Sequence, residues 1–207
     1  MKLFFNIIFC TLCTLNLHAQ NAVVSASKMN VLYIGVANPL EIAMPSVATD
    51  KLIVSATNAD IKKINNENYI ATVSRPGVAT ITVNGNGITT TKTFRIKPIP
   101  DPFPSLRTMR GGSIEMTKLI EAGGLMSNLE NFDFDAYCAI QSYVILILPK
   151  NSEPFQVKVS GSAFPEEAIE RFKKLKSMDV VNFMEIKLRC PGDTISRDVG
   201  SLSFILK

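Results

Sequence analysis

Two carboxylates separated by one residue, Asp133 and Asp135, have the spacing in this chain best suited to chemistry. Alternate side chains of a β-strand point to the same face, so this pair would share a face about 6.6 Å apart along the backbone. Such a pair could help hold a calcium ion or act as acid and base in hydrolysis. Calcium needs several more oxygen ligands, and only Glu130 and Asn131 lie close by in sequence. The pattern therefore favours a solvated strand face.

The second candidate is the run from Arg107 to Ser113, which contains Arg110 and the pair Gly111-Gly112. Backbone amides and two arginines could together cradle an anion. The run lacks the lysine and the following hydroxyl residue of a phosphate-binding loop, and no strand is predicted directly before it. A glycine turn is the favoured interpretation. Arg107, Arg110, Asp133 and Asp135 are kept as candidate partner-binding residues.

The single histidine, His18, lies in a segment that we expect to be removed. Residues 1–19 combine a positive start at Lys2, an apolar stretch too short to span a bilayer and a small-residue cleavage site ending at Ala19. These features predict a signal peptide and an exported chain without a transmembrane anchor. Most hydrolytic mechanisms and many metal sites depend on histidine. The sequence therefore predicts no enzyme, no metal and no cofactor.

Cys138 and Cys190 are the two cysteines that follow the predicted signal peptide. Both fall on the apolar side of a predicted strand. In an oxidising compartment they could form a disulfide, which the chain-entropy model values at roughly 4 kcal/mol. Two buried free thiols are the alternative, and the sequence leaves both open.

Short strands separated by turns occupy residues 21–97. The clearest feature is a hairpin between Thr80–Val83 and Ile88–Ile96, because the Asn84-Gly85-Asn86-Gly87 turn tolerates positive φ. About seven strands without a convincing helix predict an immunoglobulin-like β-sandwich.

Four prolines at alternate positions follow this region, namely Pro98, Pro100, Pro102 and Pro104. Each fixes φ and biases the preceding residue toward extended geometry. Residues 98–104 are therefore predicted to form a rigid linker that holds two domains about 25 Å apart. A proline-protected edge strand is the alternative.

Helix and strand patterns alternate in residues 105–207. They predict helices from Met116 to Ala122 and from Pro165 to Met178. They also predict one long strand or a strand pair from Phe132 to Leu148, and a strand from Met184 to Cys190. We expect a mainly β chain whose second part is an α+β domain with an antiparallel sheet and two helices.

The net charge of +4 at pH 7 is spread over 22 basic and 18 acidic side chains. Interspersed charge argues against nucleic-acid binding, which uses a concentrated basic face. Lys150–Lys158 and Arg171–Lys176 are locally basic, and both are interpreted as solvated faces.

Three strings occur in order: MNVLYIGVANPL from Met29, FRIKPIPDP from Phe94 and NFDFD from Asn131. A short predicted helix between the pairs Gly111-Gly112 and Gly123-Gly124 accompanies them. Together they resemble the C-terminal periplasmic domains of the GldM/PorM family, the gliding-motility and type IX secretion shaft proteins of Bacteroidetes. The resemblance covers nearly all of the chain after residue 20.

The resemblance implies a periplasmic, dimeric shaft whose last domains contact an outer-membrane-associated ring of lipoprotein and partner subunits. An exported chain without an anchor departs from the membrane-anchored family members. We therefore expect a periplasmic adaptor that resembles the tip of the shaft, binds envelope proteins and forms homodimers. The rival hypothesis is an extracellular, surface-exposed Ig-like adhesion module that binds a glycan or host protein through its threonine-rich hairpin.

Overall fold

The computed structural model describes residues 29–207, and the predicted signal peptide, residues 1–19, lies outside them. The two helices of this part are α1 (Met116–Glu121) and α2 (Glu166–Phe172), and a 3₁₀ turn covers Thr49–Lys51. The prediction of a mainly β chain with two helices is confirmed. The strands are β1 (Val31–Tyr33), β2 (Asn38–Glu41), β3 (Ile53–Thr57), β4 (Asp60–Lys63), β5 (Asn68–Thr72), β6 (Gly77–Gly85), β7 (Ile88–Lys97), β8 (Phe103–Ser105), β9 (Gly112–Ile114), β10 (Met126–Asn128), β11 (Ala139–Leu148), β12 (Phe155–Ser160), β13 (Val180–Arg189), β14 (Arg197–Asp198) and β15 (Leu202–Leu206).

Residues 29–97 form a β-sandwich, here called the N-terminal sandwich. One sheet has the order β1-β7-β6-β3 and the other the order β2-β5-β4. All pairs are antiparallel except β1 with β7. The immunoglobulin-like class of this sandwich stays a prediction. Its core lies between the sheets and contains Leu32, Ile34, Ala71, Val73, Ala79 and Ile96.

The predicted hairpin is formed by β6 and β7, with a shorter turn than the sequence suggested. Gly85 still pairs with Ile88, so only Asn86 and Gly87 lie outside the ladder. Their φ angles are 49° and 76°. Two positive φ values in a two-residue loop match the right-handed twist of the flanking strands.

Residues 98–207 form the C-terminal body, built on a sheet with the order β12-β11-β13-β15-β9 and with β14 paired to β13. Its pairs are antiparallel except β9 with β15. A small second sheet joins β8 and β10. The helices α1 and α2 contact each other and contribute Leu119, Ala168 and Phe172 to the core.

Strand β13 contains a β-bulge that changes the face of its side chains. Glu185 has a φ of 50°, and the register with β11 shifts at this point. Val181 and Phe183 are buried before the bulge, and Ile186 and Leu188 after it. The predicted alternation therefore holds from Glu185 to Cys190 but fails at Met184, because the extra residue of the bulge places Met184 on the face opposite Ile186.

The predicted strand or strand pair over Phe132–Leu148 is confirmed only in its second part, since β11 begins at Ala139. Residues 132–138 lie outside any ladder but stay extended enough to alternate. Phe132 and Phe134 face inward, whereas Asp133 and Asp135 are exposed. Packing against the N-terminal sandwich replaces strand pairing here.

Helix α2 ends at Phe172, six residues before the predicted end at Met178. A buried carboxylate, Asp179, accounts for the early end. Its Oδ2 accepts a hydrogen bond of 2.8 Å from the Lys176 N–H, and its Oδ1 accepts one of 2.8 Å from the Lys150 N–H. These bonds hold the chain in a turn that a longer helix could not make.

The proline segment, residues 98–104, is packed and does not act as a free spacer. Ile99 is 1% exposed, and Pro102 and Pro104 are buried. Pro104 lies in β8, opposite Ser127 of β10. The expected separation of about 25 Å is wrong, because residues on both sides of the segment contact each other directly. Among residues 29–207, no helix is long and apolar enough to cross a membrane.

Candidate functional site: the seam between sandwich and body

The N-terminal sandwich contacts the C-terminal body through Tyr33 and the loop between β1 and β2, and this contact region is called the seam. Asn38 is 1% exposed and shapes this loop. Its Oδ1 accepts a bond of 2.7 Å from the Tyr33 N–H, and its Nδ2 donates to the carbonyls of Tyr33, Val36 and Ala71 at 2.9–3.1 Å. A buried amide whose oxygen and nitrogen are both hydrogen-bonded holds one loop conformation.

Three aromatic rings form the first contact across the seam. Tyr33 packs edge-on against Phe132 and Phe134, with centroid distances of 4.9 Å and 5.2 Å. The two phenylalanines lie 5.2 Å from each other. Edge-to-face contacts at these distances are favourable beyond simple burial.

Two glycines form the second contact, where the backbones themselves touch. A Cβ on Gly35 would collide with the backbone of Pro191 and Gly192, and one on Gly192 would lie 2.7 Å from Cγ2 of Ile34. Both glycines have positive φ, 82° and 80°. Beside them, Val36 of the sandwich is 7% exposed and belongs to the core of the C-terminal body.

Arg197 forms the third contact and fastens the proline segment. Its Nε and Nη2 donate to the Asp193 carboxylate at 2.9 Å and 2.6 Å. Its Nη1 donates to the carbonyl of Ile99 at 2.8 Å and to the carboxylate of Asp101 at 3.0 Å. Bidentate pairing with Asp193 raises the pKa of the Arg197 guanidinium above its usual range.

A disulfide joins Cys138 and Cys190 within the C-terminal body, next to the seam. Both cysteines are buried, at 2% and 3% exposure. Cys138 follows the segment that carries Phe132 and Phe134, and Cys190 directly precedes Pro191. The disulfide therefore links the two segments of the C-terminal body that contact the sandwich, one with Phe132 and one with Pro191.

The predicted arginines lie away from this seam. Arg107 is exposed in a turn with a φ of 55°. Arg110 lies over the ring of Phe103, 3.2 Å from its centroid, and pairs with Glu130 at 3.4 Å. Neither forms the anion cradle considered from the sequence.

The predicted carboxylates lie on the seam itself. Asp133 and Asp135 line a recess with Ala37 and Pro39 of the sandwich. Among the described residues, no group of three or more His, Cys, Asp or Glu side chains could hold a metal ion. The structure thus does not bring the two carboxylates together with the two arginines.

Sequence reasoning missed the residues that build the seam, namely Asn38, Gly35, Asp193 and Arg197. The pair Asp193 and Arg197 has a spacing typical of ion pairs, but its carbonyl partners lie nearly a hundred residues earlier. The arrangement binds backbone to backbone and has no set of groups poised for a reaction. Its capacity is to fix two β units in one relative position.

Two family models match the chain along this same organisation. The GldM third domain matches residues 21–97, and the GldM C-terminal domain matches residues 100–207. The chain belongs to the GldM family. The GldM domains are periplasmic, non-catalytic parts of the gliding-motility and type IX secretion shaft, which works through protein–protein contacts. GldM membership confirms the resemblance seen in the sequence.

Other comparisons add no argument to the GldM assignment. No curated protein matches the chain. A chimeric titin Z1Z2 carrying a decorin peptide is similar at 9% identity, with 86% of this chain and 92% of that chain covered and a TM-score of 0.29. Domains 4 and 5 of the S-layer protein SbsC are similar at 13% identity, covering 79% and 74%, with a TM-score of 0.26.

Proposed function

We propose that this chain is a non-enzymatic periplasmic adaptor that binds envelope proteins of the gliding-motility and type IX secretion shaft. The observation that carries the proposal is the seam. Val36 completes the core of the C-terminal body, and Gly35 rests on Pro191 without an intervening side chain. A partner bound to either unit is thereby held at a fixed orientation to the other, which suits a part of a shaft.

The seam also favours a geometric role over an adhesive one. An Ig-like adhesion module can bind its ligand whether or not it is fixed to a neighbour. Here two glycines, a disulfide and the Arg197 contacts all restrain one relative position. A fixed relative position of the two units suits a protein in which movement of one unit must move the other.

Affinity capture of the tagged full chain from native envelope extract tests the proposal. We expect the ring lipoprotein and its partner subunits to be recovered with the chain. A variant with the seam weakened by Gly35→Ala, matched to Gly87→Ala, should recover less of them. Recovery of bait alone, or labelling of the chain on intact cells by an impermeant reagent, would instead support the adhesion module.

The homodimer is part of the proposal and needs its own measurement. Light scattering after size-exclusion chromatography should give a dimer mass for the purified chain. A specific dimer would bury at least roughly 1,000 Å² in total. A monomer at tens of micromolar would contradict dimerisation, and the capture experiment would then test partner binding by itself.

A further inference from the structure

Strand β12 is the outermost strand of the large sheet, and no described strand pairs with its free side. Its ladder with β11 keeps one register without a bulge from Phe155 to Ser160. An unpaired edge presents a row of N–H and C=O groups to any extended chain that approaches it. The strand is thus a template for strand addition.

The backbone groups on the free side can be assigned. The Gly161 N–H donates to the Gln141 carbonyl at 2.8 Å, which places the hydrogen-bonded pairs at every second residue of the ladder. Gln156, Lys158 and Ser160 therefore turn their N–H and C=O groups away from β11. Their side chains are exposed as well.

Two basic segments that are separate in the sequence meet beside this edge. The buried Asp179 carboxylate accepts hydrogen bonds from the backbones of both Lys150 and Lys176, each at 2.8 Å. The Arg171 guanidinium lies 4.6 Å from the ring centroid of Phe155, the first residue of β12. The loop before β12 and the end of α2 thus form one surface.

Positive charge dominates this surface. Lys173 pairs with Glu170 at 2.5 Å, so that pair is locally neutral. Glu153 is the acidic side chain of the loop before β12. Against Glu153 and the buried Asp179 stand the exposed side chains of Lys150, Arg171, Lys174 and Lys176 on the face of β12 that carries Phe155. Lys158 adds a fifth exposed cation on the opposite face of the same strand.

We propose that β12 and these five cations, the basic edge, bind an extended acidic segment of a partner protein by strand addition. Main-chain hydrogen bonds to β12 provide affinity, and carboxylates on either face of the partner strand meet a cation, Lys158 on one face or the four cations beside Phe155 on the other. The inference rests on the proposed function, because it gives the surface and the chemistry of the partner that the adaptor would bind.

A second copy of the chain is the less favoured occupant. Antiparallel pairing of β12 with itself about its centre brings two Lys158 side chains together, and like charges across a ladder repel each other. An acidic strand replaces this repulsion with attraction. Charge therefore selects a foreign strand over self-association.

Binding of a synthetic peptide that alternates glutamate with valine tests the inference on the full chain. We expect fluorescence anisotropy to detect it, and the matched lysine–valine peptide to bind at least about tenfold more weakly. Hydrogen exchange should slow at Gln156, Lys158 and Ser160 on binding. Raising the salt from about 50 to 300 mM should weaken binding severalfold.

Gln156→Pro removes an outward N–H without touching the ladder to β11, so the fold should be kept. We expect it to lose at least about tenfold in peptide affinity, whereas Gln156→Ala should keep most of it. Should Gln156→Pro fail to fold, the double change Arg171→Glu and Lys174→Glu provides the second test, because it should reduce the preference for the glutamate peptide over the lysine peptide.

Equal binding of both peptides, or full binding by Gln156→Pro, would overturn the inference. So would a concentration-dependent dimer that Gln156→Pro abolishes, since β12 would then pair with its own copy.

Capture from envelope extract separates the two proposals. If ring components are recovered equally by the wild-type chain and by Gln156→Pro, the adaptor stands and the basic edge fails. If no ring component is recovered but the glutamate peptide binds selectively, the adaptor fails and the edge stands.

Discussion

Gly35 and Pro191 meet backbone to backbone across the seam, with no space for a side chain on Gly35. The φ of Gly35 is also positive, at 82°. Two independent restrictions, one conformational and one steric, therefore apply to the same residue. Substitution of Gly35 is therefore expected to disturb the interdomain contact directly.

We expect Gly35→Ala to lower the free energy of unfolding by about 2–4 kcal/mol, from a positive-φ penalty plus displacement of Pro191. Gly87→Ala is the matched control. It has a φ of 76°, but no atom lies within 4 Å of the place that its new methyl group would occupy, so it should cost only about 1 kcal/mol. Urea denaturation gives the stabilities. Equal losses in both variants would mean that the seam does not depend on close approach at Gly35.

Replacing Arg197 by lysine should loosen the proline segment, because a single ammonium cannot reach Asp193, Ile99 and Asp101 at once. We expect a loss of about 2 kcal/mol in unfolding free energy. Arg107→Lys is the control, since the exposed side chain of Arg107 should change stability by about 0.5 kcal/mol or less. Hydrogen exchange near Ile99 should rise in the first variant alone. Unchanged exchange there would contradict the contact.

Reduction of Cys138–Cys190 should destabilise the C-terminal body and release both of its seam segments. The bond spans 52 residues of sequence, which corresponds to about 4 kcal/mol in the chain-entropy model. Mass spectrometry after alkylation, with and without reductant, measures the pairing. Alkylation of both cysteines without reductant would show that Cys138 and Cys190 are not bonded to each other. The double variant to alanine should reproduce the loss of stability.

Tyr33 and Phe132 should be energetically coupled across the seam. A double-mutant cycle with Tyr33→Leu and Phe132→Leu should give a coupling energy of about 0.5–1.5 kcal/mol. The control cycle combines Tyr33→Leu with Phe155→Leu, because the Phe155 ring packs under Arg171 and not against Tyr33, and it should be additive. Additivity in both cycles would show that the rings of Tyr33 and Phe132 do not contact each other in solution.

The sequence predicted the parts of the fold that depend on local pattern. Asn86-Gly87 identified a hairpin because positive φ is a property of the two residues themselves. The alternation of Phe132 and Asp133 correctly separated inward from outward side chains, but it could not show that the inward side packs on another unit instead of a neighbouring strand. Periodicity reports burial, not the identity of the partner.

The elements that escaped prediction depend on contacts between distant residues. Asp179 ends α2 early by binding the backbone at Lys150, and nothing near residue 179 indicates that loop. The prolines lie at the boundary between the two matched domains, which end at residue 97 and begin at residue 100. Their packing was hidden, because it depends on Arg197 at the other end of the chain.

Val36 has a consequence for how such proteins can be recombined. Its side chain fills the core of the unit that follows it in sequence. A gene fusion joined at the prolines would give the C-terminal body a new neighbour and leave a hole the size of a valine in its interior. Cavities of this kind cost about 1 kcal/mol or more. The two units are therefore expected to be inherited together, with the crossover points of viable chimaeras falling outside the pair and not between the two units.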